Sequence, residues 1–268
     1  MPTEIDIEKI VRQRLGKKAR WIPGFVFGWL RKLIHEEFLN VYIRKGYVGV
    51  DFCEHCLEYL NATLKVEGLE QLDLNPERPY IFVSNHPLGA IDGVTLGGVI
   101  GKATNGRIRY IVNDLLMNLE GLAPLCVPIN KFGAQARNLP AQLDKAFTGD
   151  DHVLLFPAGL CSRLIDGKIH DIPWHKFFVK RSVQHQRDVV PVHFIGQNSD
   201  RFYRVADWCK RLGIKVNLAQ LLLPDEMYRS RGKSYTVRIG QPIPYTTFDA
   251  SRTPSEWALW VEEQAYKL

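Results

Sequence analysis

Three short segments of the chain end an apolar run in residue types that can do chemistry. In the first, residues 80–93, a strand-like run leads into Asn-His-Pro-Leu-Gly-Ala-Ile-Asp-Gly. This pattern places His86 on a loop beside a predicted helix, six positions before Asp92. A loop histidine that is held by a carboxylate can act as a general base and take a proton from a hydroxyl or an amine. The same residues also fit a structural turn in which Asp92 only caps the helix, so both interpretations stay open at this point.

The other two segments add glycines and a cation. Residues 153–163 read Val-Leu-Leu-Phe-Pro-Ala-Gly-Leu-Cys-Ser-Arg and contain Gly159 and Arg163, and residues 126–133 contain Lys131. Backbone amides at such turns, together with a cationic side chain, can hold a phosphate or a carboxylate. The alternative is that both cations are solvated surface groups.

These loops need a sheet to bring them together. The predicted strands are residues 63–67, 80–84, 107–112, 125–129, 152–156, 189–195 and 235–239, and the predicted helices between and after them are near 93–102, 114–119, 134–147, 174–185, 200–211 and 254–267. Such alternation indicates an α/β fold, a mostly parallel central sheet covered by helices, with ligands bound beyond the carboxyl ends of the strands. Residues 1–60 are predicted to form a helical N-terminal extension, with helical stretches near 30–45 and 51–60, and residues 61–268 the α/β domain.

Other polar and sulfur-containing residues are assigned structural roles. Asp171 precedes Pro173 and a predicted helix, so it is interpreted as an N-terminal cap. Cys161 is interpreted as a structural thiol. The Cys-Glu-His-Cys run at residues 53–56 lies in a predicted helix, and no second ligand pair follows at zinc spacing, so no metal site is predicted.

Taken in order, the segments resemble the glycerolipid acyltransferases of the lysophosphatidic acid acyltransferase type. Asn85, His86 and Asp92 match the first motif of that family, and the strand end at Lys131 matches the second. Residues 156–163 match the third motif loosely, and Val-Val-Pro-Val at 189–192 matches the fourth. The resemblance covers roughly residues 62–245.

Three departures from the family pattern point to a subgroup. Five residues separate His86 from Asp92 where family members typically have four, the third motif has Ala158 in place of glutamate, and its arginine lies two places later, at Arg163. With these features the chain looks most like the bacterial enzymes that complete ornithine or glycine lipids by acylating the hydroxyl of an N-(3-hydroxyacyl) amino acid.

The resemblance implies an O-acyltransferase that moves a fatty acyl group from acyl-ACP or acyl-CoA to the hydroxyl of a lyso-lipid, here a lyso-aminolipid. It implies that His86 is the general base and Asp92 its orienting partner, and it makes backbone amides around Gly89 or Gly159 candidates for stabilising the tetrahedral oxyanion. It assigns substrate binding to Asn85, Gly89, Lys131, Gly159 and Arg163, with no bound cofactor. The alternatives are a 1-acylglycerol-3-phosphate acyltransferase and a non-catalytic lipid-binding or scaffold protein of the same fold.

The charge of the chain bears on its partners. Lys and Arg number 35 against 29 Asp and Glu, a formal charge of +6 that suits nucleic acid, an anionic membrane or an acidic substrate. No nucleic-acid-binding module is recognisable, so that partner is not expected. Aromatic residues at 21–30 lie among cations at 17–32, a pattern that fits a helix in the membrane interface and equally a helix packed on a core. With a lipid acceptor, we expect a peripheral protein on the cytoplasmic face of the inner (plasma) membrane, with surface lipids and acyl carrier protein or coenzyme A thioester as partners.

Overall fold

The strands lie where the apolar runs predict them. The computed structural model describes residues 3–74, 78–113, 116, 119–129, 139–213 and 218–268. The strands of the main sheet are β1 (Thr63–Glu67), β2 (Ile81–Ser84), β3 (Ile108–Asn113), β4 (Cys126–Ile129), β5 (His152–Leu155), β8 (Val189–Ile195) and β9 (Ser234–Ile239). Their order is β1-β9-β8-β2-β5-β3-β4, and every neighbouring pair is parallel except β8 and β9. The predicted α/β fold with a mostly parallel sheet is therefore confirmed.

Helices cover both faces of this sheet. They are α1 (Ile7–Leu15), α2 (Gly24–Leu33), α3 (Glu36–Ile43), α4 (Val50–Tyr59), α5 (Ile91–Ala103), α6 (Leu139–Thr148), α7 (Phe177–His185), α8 (Asp200–Arg211), α9 (Leu223–Arg229) and α10 (Pro254–Lys267). Side chains of α4 and α5 share one buried cluster with one face of the sheet, and those of α6, α7 and α10 share another with the opposite face. No helix in the described ranges is both long and apolar enough to cross a membrane.

Strand β2 and helix α5 form the centre of the molecule. All four residues of β2 are buried, as expected for a strand with neighbours on both sides and helices on both faces. Helix α5 lies close to the sheet because it is rich in glycine: a Cβ on Gly97 would lie 1.2 Å from Tyr110 Oη. This close approach fixes the first turn of α5 beside the carboxyl end of β2, where the chemistry is predicted.

The N-terminal helices differ in how closely they pack against the sheet domain. Helices α1 and α2 have a small core of their own, made of Ile7, Phe27, Leu30 and Ile34. Helix α4 instead belongs to the main core, where burial raises the pKa of its Cys53 and Cys56 thiols to about 12. His35 links the two parts, since its Nε2 lies 2.8 Å from Asp225 Oδ1 and its ring stacks on Tyr228. The division of the chain at residue 60 stays a prediction.

Some predicted elements differ in detail. The helical pattern near residues 30–45 is broken at His35, whose φ of 51° ends α2 and begins α3. Helix α7 begins at Phe177 rather than 174, because the backbone N–H and indole of Trp174 are held by carboxylates outside the helix. A hairpin of β6 (Arg163–Ile165) and β7 (Lys168–His170) was not predicted. Most of the predicted helix at 114–119, and the start of the one at 134–147, lie outside the described residues.

Candidate active site

His86 lies on the loop that leaves the carboxyl end of β2. Its Nδ1 is 3.0 Å from Asp92 Oδ2, and its ring stacks on Phe156 with centroids 4.1 Å apart. The side chain keeps 17% exposure, whereas the Asp92 side chain is fully buried. With Nδ1 engaged, Nε2 is the ring nitrogen left to exchange a proton with a ligand.

Five residues separate His86 from Asp92, and the loop brings the two side chains together because its backbone N–H groups point at the Asp92 carboxylate. The backbone N–H groups of Leu88 and Gly89 donate to Asp92 Oδ2 at 2.9 and 3.1 Å, and that of Gly93 donates to Oδ1 at 2.9 Å. Gly89 makes this turn possible because its φ is +77° and a Cβ there would lie 2.3 Å from Cys161 Sγ. Asp92 lies in the first turn of α5, where the helix dipole favours an anion. It therefore binds the loop and the imidazole rather than serving as the N-cap, which is Ala90.

Charge and burial act in opposite directions on this pair. Burial favours the neutral imidazole, but the charge and hydrogen bond of Asp92, aided by Asp171, raise the pKa of His86 above its ordinary value. Burial likewise opposes ionisation of Asp92, but the cationic His86 and the loop amides lower the pKa of that carboxyl. An ionised Asp92 beside a ring that gains a proton readily is the arrangement a general base requires.

The exit of β5 lies against the same loop. The Ser162 N–H donates to the His86 carbonyl at 2.9 Å, which ties the two strand exits together. Gly159 is exposed, with a φ of +69°, and its N–H donates to the Phe156 carbonyl at 2.9 Å. The amides of Gly89 and Gly159 thus both have acceptors within the protein, and oxyanion binding by amides of these loops stays a prediction.

The predicted substrate-binding side chains have different surroundings. Asn85 is buried, its Oδ1 accepting from the Phe194 N–H at 2.7 Å and its Nδ2 donating to the Phe194 carbonyl at 3.0 Å, so it joins the ends of β2 and β8. Arg163 begins β6, donates to the Cys161 and Ser162 carbonyls at 2.7 and 3.3 Å, and lies over the ring of Phe202. Substrate contact by Asn85 and Arg163 stays a prediction, and Lys131 lies outside the described residues.

One residue that the sequence assigned to a helix cap belongs to this site instead. Asp171 is 2% exposed, and its carboxylate accepts the backbone N–H of His86 at 3.2 and 3.3 Å. It lies six residues before the first residue of α7, so the cap interpretation is wrong. The sequence signal was a density of polar residues after the third motif, which does not say which strand exit the carboxylate meets.

The remaining reactive groups fit structural roles. Cys161 is buried in the cluster that includes Phe202, and burial raises the pKa of its thiol to about 12, which removes the thiolate needed for nucleophilic attack. Within the part of the chain that the structure describes, no three His, Cys, Asp or Glu side chains are grouped so that they could hold a metal ion.

Comparisons with known proteins identify relatives that match nearly the whole chain. The chain is 53% identical over 266 residues to the lyso-glycine lipid O-acyltransferase of Phocaeicola vulgatus, covering 98% of this chain and 95% of that protein. It is 52% identical over 266 residues to the enzyme of the same name from Bacteroides thetaiotaomicron, covering 98% and 97%.

The fold has a counterpart among solved structures. The crystal structure of the 1-acyl-sn-glycerophosphate (LPA) acyltransferase PlsC from Thermotoga maritima matches with a TM-score of 0.51 and 17% identity, covering 96% of this chain and 86% of that one. At this identity the match concerns the fold alone. An acyltransferase family model matches residues 9–268, nearly the whole chain, and the protein therefore belongs to that acyltransferase family.

Proposed function

We propose that this acyltransferase transfers a fatty acyl group from an acyl thioester to the hydroxyl of a lyso-glycine lipid. The relatives that carry this name match the chain over almost their full length at 52% and 53% identity. The observation that carries the mechanism is the 3.0 Å contact between His86 Nδ1 and Asp92 Oδ2 at the carboxyl end of β2.

The proposed reaction needs one base and no covalent enzyme intermediate. His86 Nε2 takes the proton of the acceptor hydroxyl while the hydroxyl oxygen attacks the thioester carbonyl. The tetrahedral oxyanion then collapses, the carbon–sulfur bond breaks, and the imidazolium returns the proton to the leaving thiolate. Asp92 holds the ring in the tautomer that presents Nε2 and stabilises its cationic form. The products are an ester and a free thiol.

Arg163 is the proposed contact for the acidic groups of the substrates. Its guanidinium is fixed by two carbonyls of the loop that follows β5, and its positive charge opposes protonation of His86. Ala158, which stands where the third motif of the lysophosphatidic acid enzymes has glutamate, is buried in the same core cluster as Trp174 and Phe178. The missing glutamate and the later position of the arginine favour an amino-acid head group over a glycerophosphate.

Exposed aromatic residues support a peripheral position on the membrane. Trp21, Phe25 and Trp29 are 76%, 78% and 59% exposed and recur every four residues, while Phe27 and Leu30 are buried in the small N-terminal core. Lys17, Lys18 and Arg20 are exposed beside them. Aromatic and cationic side chains together suit the headgroup region of an anionic bilayer. We propose that the protein lies on the cytoplasmic face of the inner membrane, because the soluble acyl-ACP and acyl-CoA thioesters are present on that side.

A transfer assay with labelled acyl donors tests the proposal. Purified protein is given acyl-ACP or acyl-CoA with lyso-glycine lipid, lyso-ornithine lipid or lysophosphatidic acid, and the product esters are separated. We expect the highest kcat/KM with lyso-glycine lipid, and a kcat about 1000-fold lower for a His86→Ala variant. Preference for lysophosphatidic acid would favour the glycerophosphate alternative. Lipid binding without turnover, with every donor and acceptor, would favour the scaffold alternative.

A further inference from the structure

Asp171 is a buried carboxylate that joins three separate parts of the site. Its oxygens accept the backbone N–H of His86 at 3.2 and 3.3 Å, the hydroxyl of Ser162 at 2.5 Å and the indole N–H of Trp174 at 3.0 Å. The carbonyl of His86 is held in turn by the Ser162 N–H at 2.9 Å. The peptide groups on both sides of the His86 Cα are therefore fixed by hydrogen bonds.

The C-terminal helix holds Asp171 in place. The backbone N–H of Asp171 donates to Tyr266 Oη at 3.0 Å, and that of Trp174 donates to Glu262 Oε2 at 3.1 Å, both from α10. Asp171 and His86 are 85 positions apart in sequence, so their contact depends on the packing of α10 against the loop. A rigid support of this kind is what a catalytic side chain needs to keep its geometry.

The charges around Asp171 give it an electrostatic effect as well. Burial raises the pKa of Asp171, although its Ser162 and Trp174 donors oppose the shift. Its negative charge adds to that of Asp92 on α5 in favouring a protonated His86, and Arg163 on β6 acts in the opposite direction. Glu262 on α10 faces Asp171, and His170 on β7 faces Glu262.

We propose that Asp171 is a positioning residue for acyl transfer, which fixes the backbone of His86 and stabilises the cationic imidazole that forms during the reaction. This inference rests on the proposed function, because it concerns the same base. The catalytic contact remains that of His86, and Asp171 acts through it.

Two substitutions separate position from charge. In Asp171→Asn, the amide oxygen can accept from His86 and Trp174, and the amide NH₂ can donate to the Ser162 hydroxyl, so the hydrogen bonds survive and only the charge is lost. In Asp171→Ala, both are lost. We expect Asp171→Ala to lower kcat about 100-fold with KM changed less than about 3-fold. We expect Asp171→Asn to retain kcat within about 10-fold of the wild type, because the position of His86 is preserved.

The pH dependence of kcat/KM tests the electrostatic effect of the Asp171 charge. Removal of a neighbouring anion lowers the pKa of His86, so the acid limb of kcat/KM in Asp171→Asn should move to lower pH. Asp225→Asn is the matched control, since this buried carboxylate binds His35, Arg201 and Arg229 and does not contact His86 or Asp171. It should leave kcat within about 2-fold and the acid limb unmoved, even if it lowers Tm. An unmoved limb in Asp171→Asn, or a wild-type kcat in Asp171→Ala, would overturn the proposal.

A measurement without turnover keeps this inference separate from the proposed function. NMR titration of the histidine ring signals, with His86 assigned from a His86→Gln variant, should give His86 a lower pKa in Asp171→Asn than in the wild type. Equal pKa values would contradict the electrostatic role of Asp171. If the wild-type protein transfers no acyl group, the proposed function fails, whereas the titration still decides whether Asp171 acts on His86.

Discussion

The loop after β2 and helix α2 differ in the surroundings of their side chains: the carboxylates of the first region are buried and hydrogen-bonded, whereas aromatic side chains of the second are exposed. Around His86, the carboxylates of Asp92 and Asp171 are buried and each accepts several hydrogen bonds. On α2, Phe25 and Trp29 are more than half exposed. General-base chemistry needs groups whose positions are fixed in advance, whereas contact with a bilayer needs apolar groups that the fold leaves uncovered. Substitutions in the first region should therefore affect turnover, and those in the second should affect binding to lipid surfaces.

Among the substitutions that leave His86 in place, we expect the largest effect from Asp92→Asn. The amide cannot stabilise an imidazolium, and its NH₂ would meet N–H donors of the loop. We expect kcat to fall about 100- to 1000-fold and stability to fall by about 1–3 kcal/mol. The pKa of His86 should also fall, because Asp92 is what raises it against burial, so the acid limb of the residual activity should lie at lower pH. A kcat/KM profile with urea unfolding as control checks both. Unchanged turnover would mean that the pairing is only structural.

A pair of glycines tests how tightly the two loops around His86 are packed. Both Gly89 and Gly159 have positive φ, but a Cβ on Gly89 would lie 2.3 Å from Cys161 Sγ, whereas Gly159 has nothing within 4 Å. Gly89→Ala should cost about 3 kcal/mol of unfolding free energy, from strain and overlap together, and Gly159→Ala about 1 kcal/mol from strain alone. Urea denaturation of both variants gives the difference. Equal losses would show that the Gly89 loop adapts more freely than its contacts indicate.

The exposed aromatic side chains at positions 21, 25 and 29 are expected to strengthen membrane binding. Replacing Trp21, Phe25 and Trp29 with Ser should weaken co-sedimentation with phosphatidylglycerol-containing vesicles about 10-fold or more, because large apolar side chains no longer enter the interface. Turnover of detergent-dispersed acceptor should stay within about 3-fold of the wild type, since these residues lie outside the loop that carries His86. Leu259→Ser, at a 43% exposed position on α10, is the control and should bind as the wild type does. Undiminished binding by the triple variant would remove α2 from the membrane contact.

The smallest effect is expected at Cys161. Its thiol lies beside Gly89 but is buried and resists ionisation. Cys161→Ala should keep kcat within about 3-fold of the wild type, because the proposed transfer forms no acyl-enzyme. The transfer assay measures this directly. Abolished turnover in a folded Cys161→Ala variant, together with an acylated Cys161 in the wild type, would replace the direct mechanism with a covalent one.

The sequence predicts local features well and distant contacts poorly. Strands β2 and β5 are apolar runs buried on both faces, a signal contained in each run itself. The pairing of His86 with Asp92 is likewise local, since six residues and one glycine turn close it. The role of Asp171 is not local, because it depends on α10 holding the loop against a strand exit 85 positions away. The β6–β7 hairpin escaped prediction because its three-residue strands are too short to show alternation.

Tertiary packing also decides which of the N-terminal aromatic side chains are buried and which are exposed. Phe27 is buried between α1 and α2, while its neighbours Phe25 and Trp29 face outward. The sequence pattern fits both a core-packing helix and an interfacial helix. In the structure, one face of α2 packs on the small N-terminal core and another exposes aromatic side chains. The packing of α1 determines which face is buried, and the sequence pattern of α2 does not contain that information.

The kcat of His86→Ala with lyso-glycine lipid and a labelled acyl thioester tests the general-base mechanism most directly. Loss of the base should reduce kcat by about 1000-fold, within the range expected for general base catalysis, while the variant remains folded by circular dichroism. A folded His86→Ala protein that retains turnover within about 10-fold of the wild type would contradict the assignment of His86 as the base.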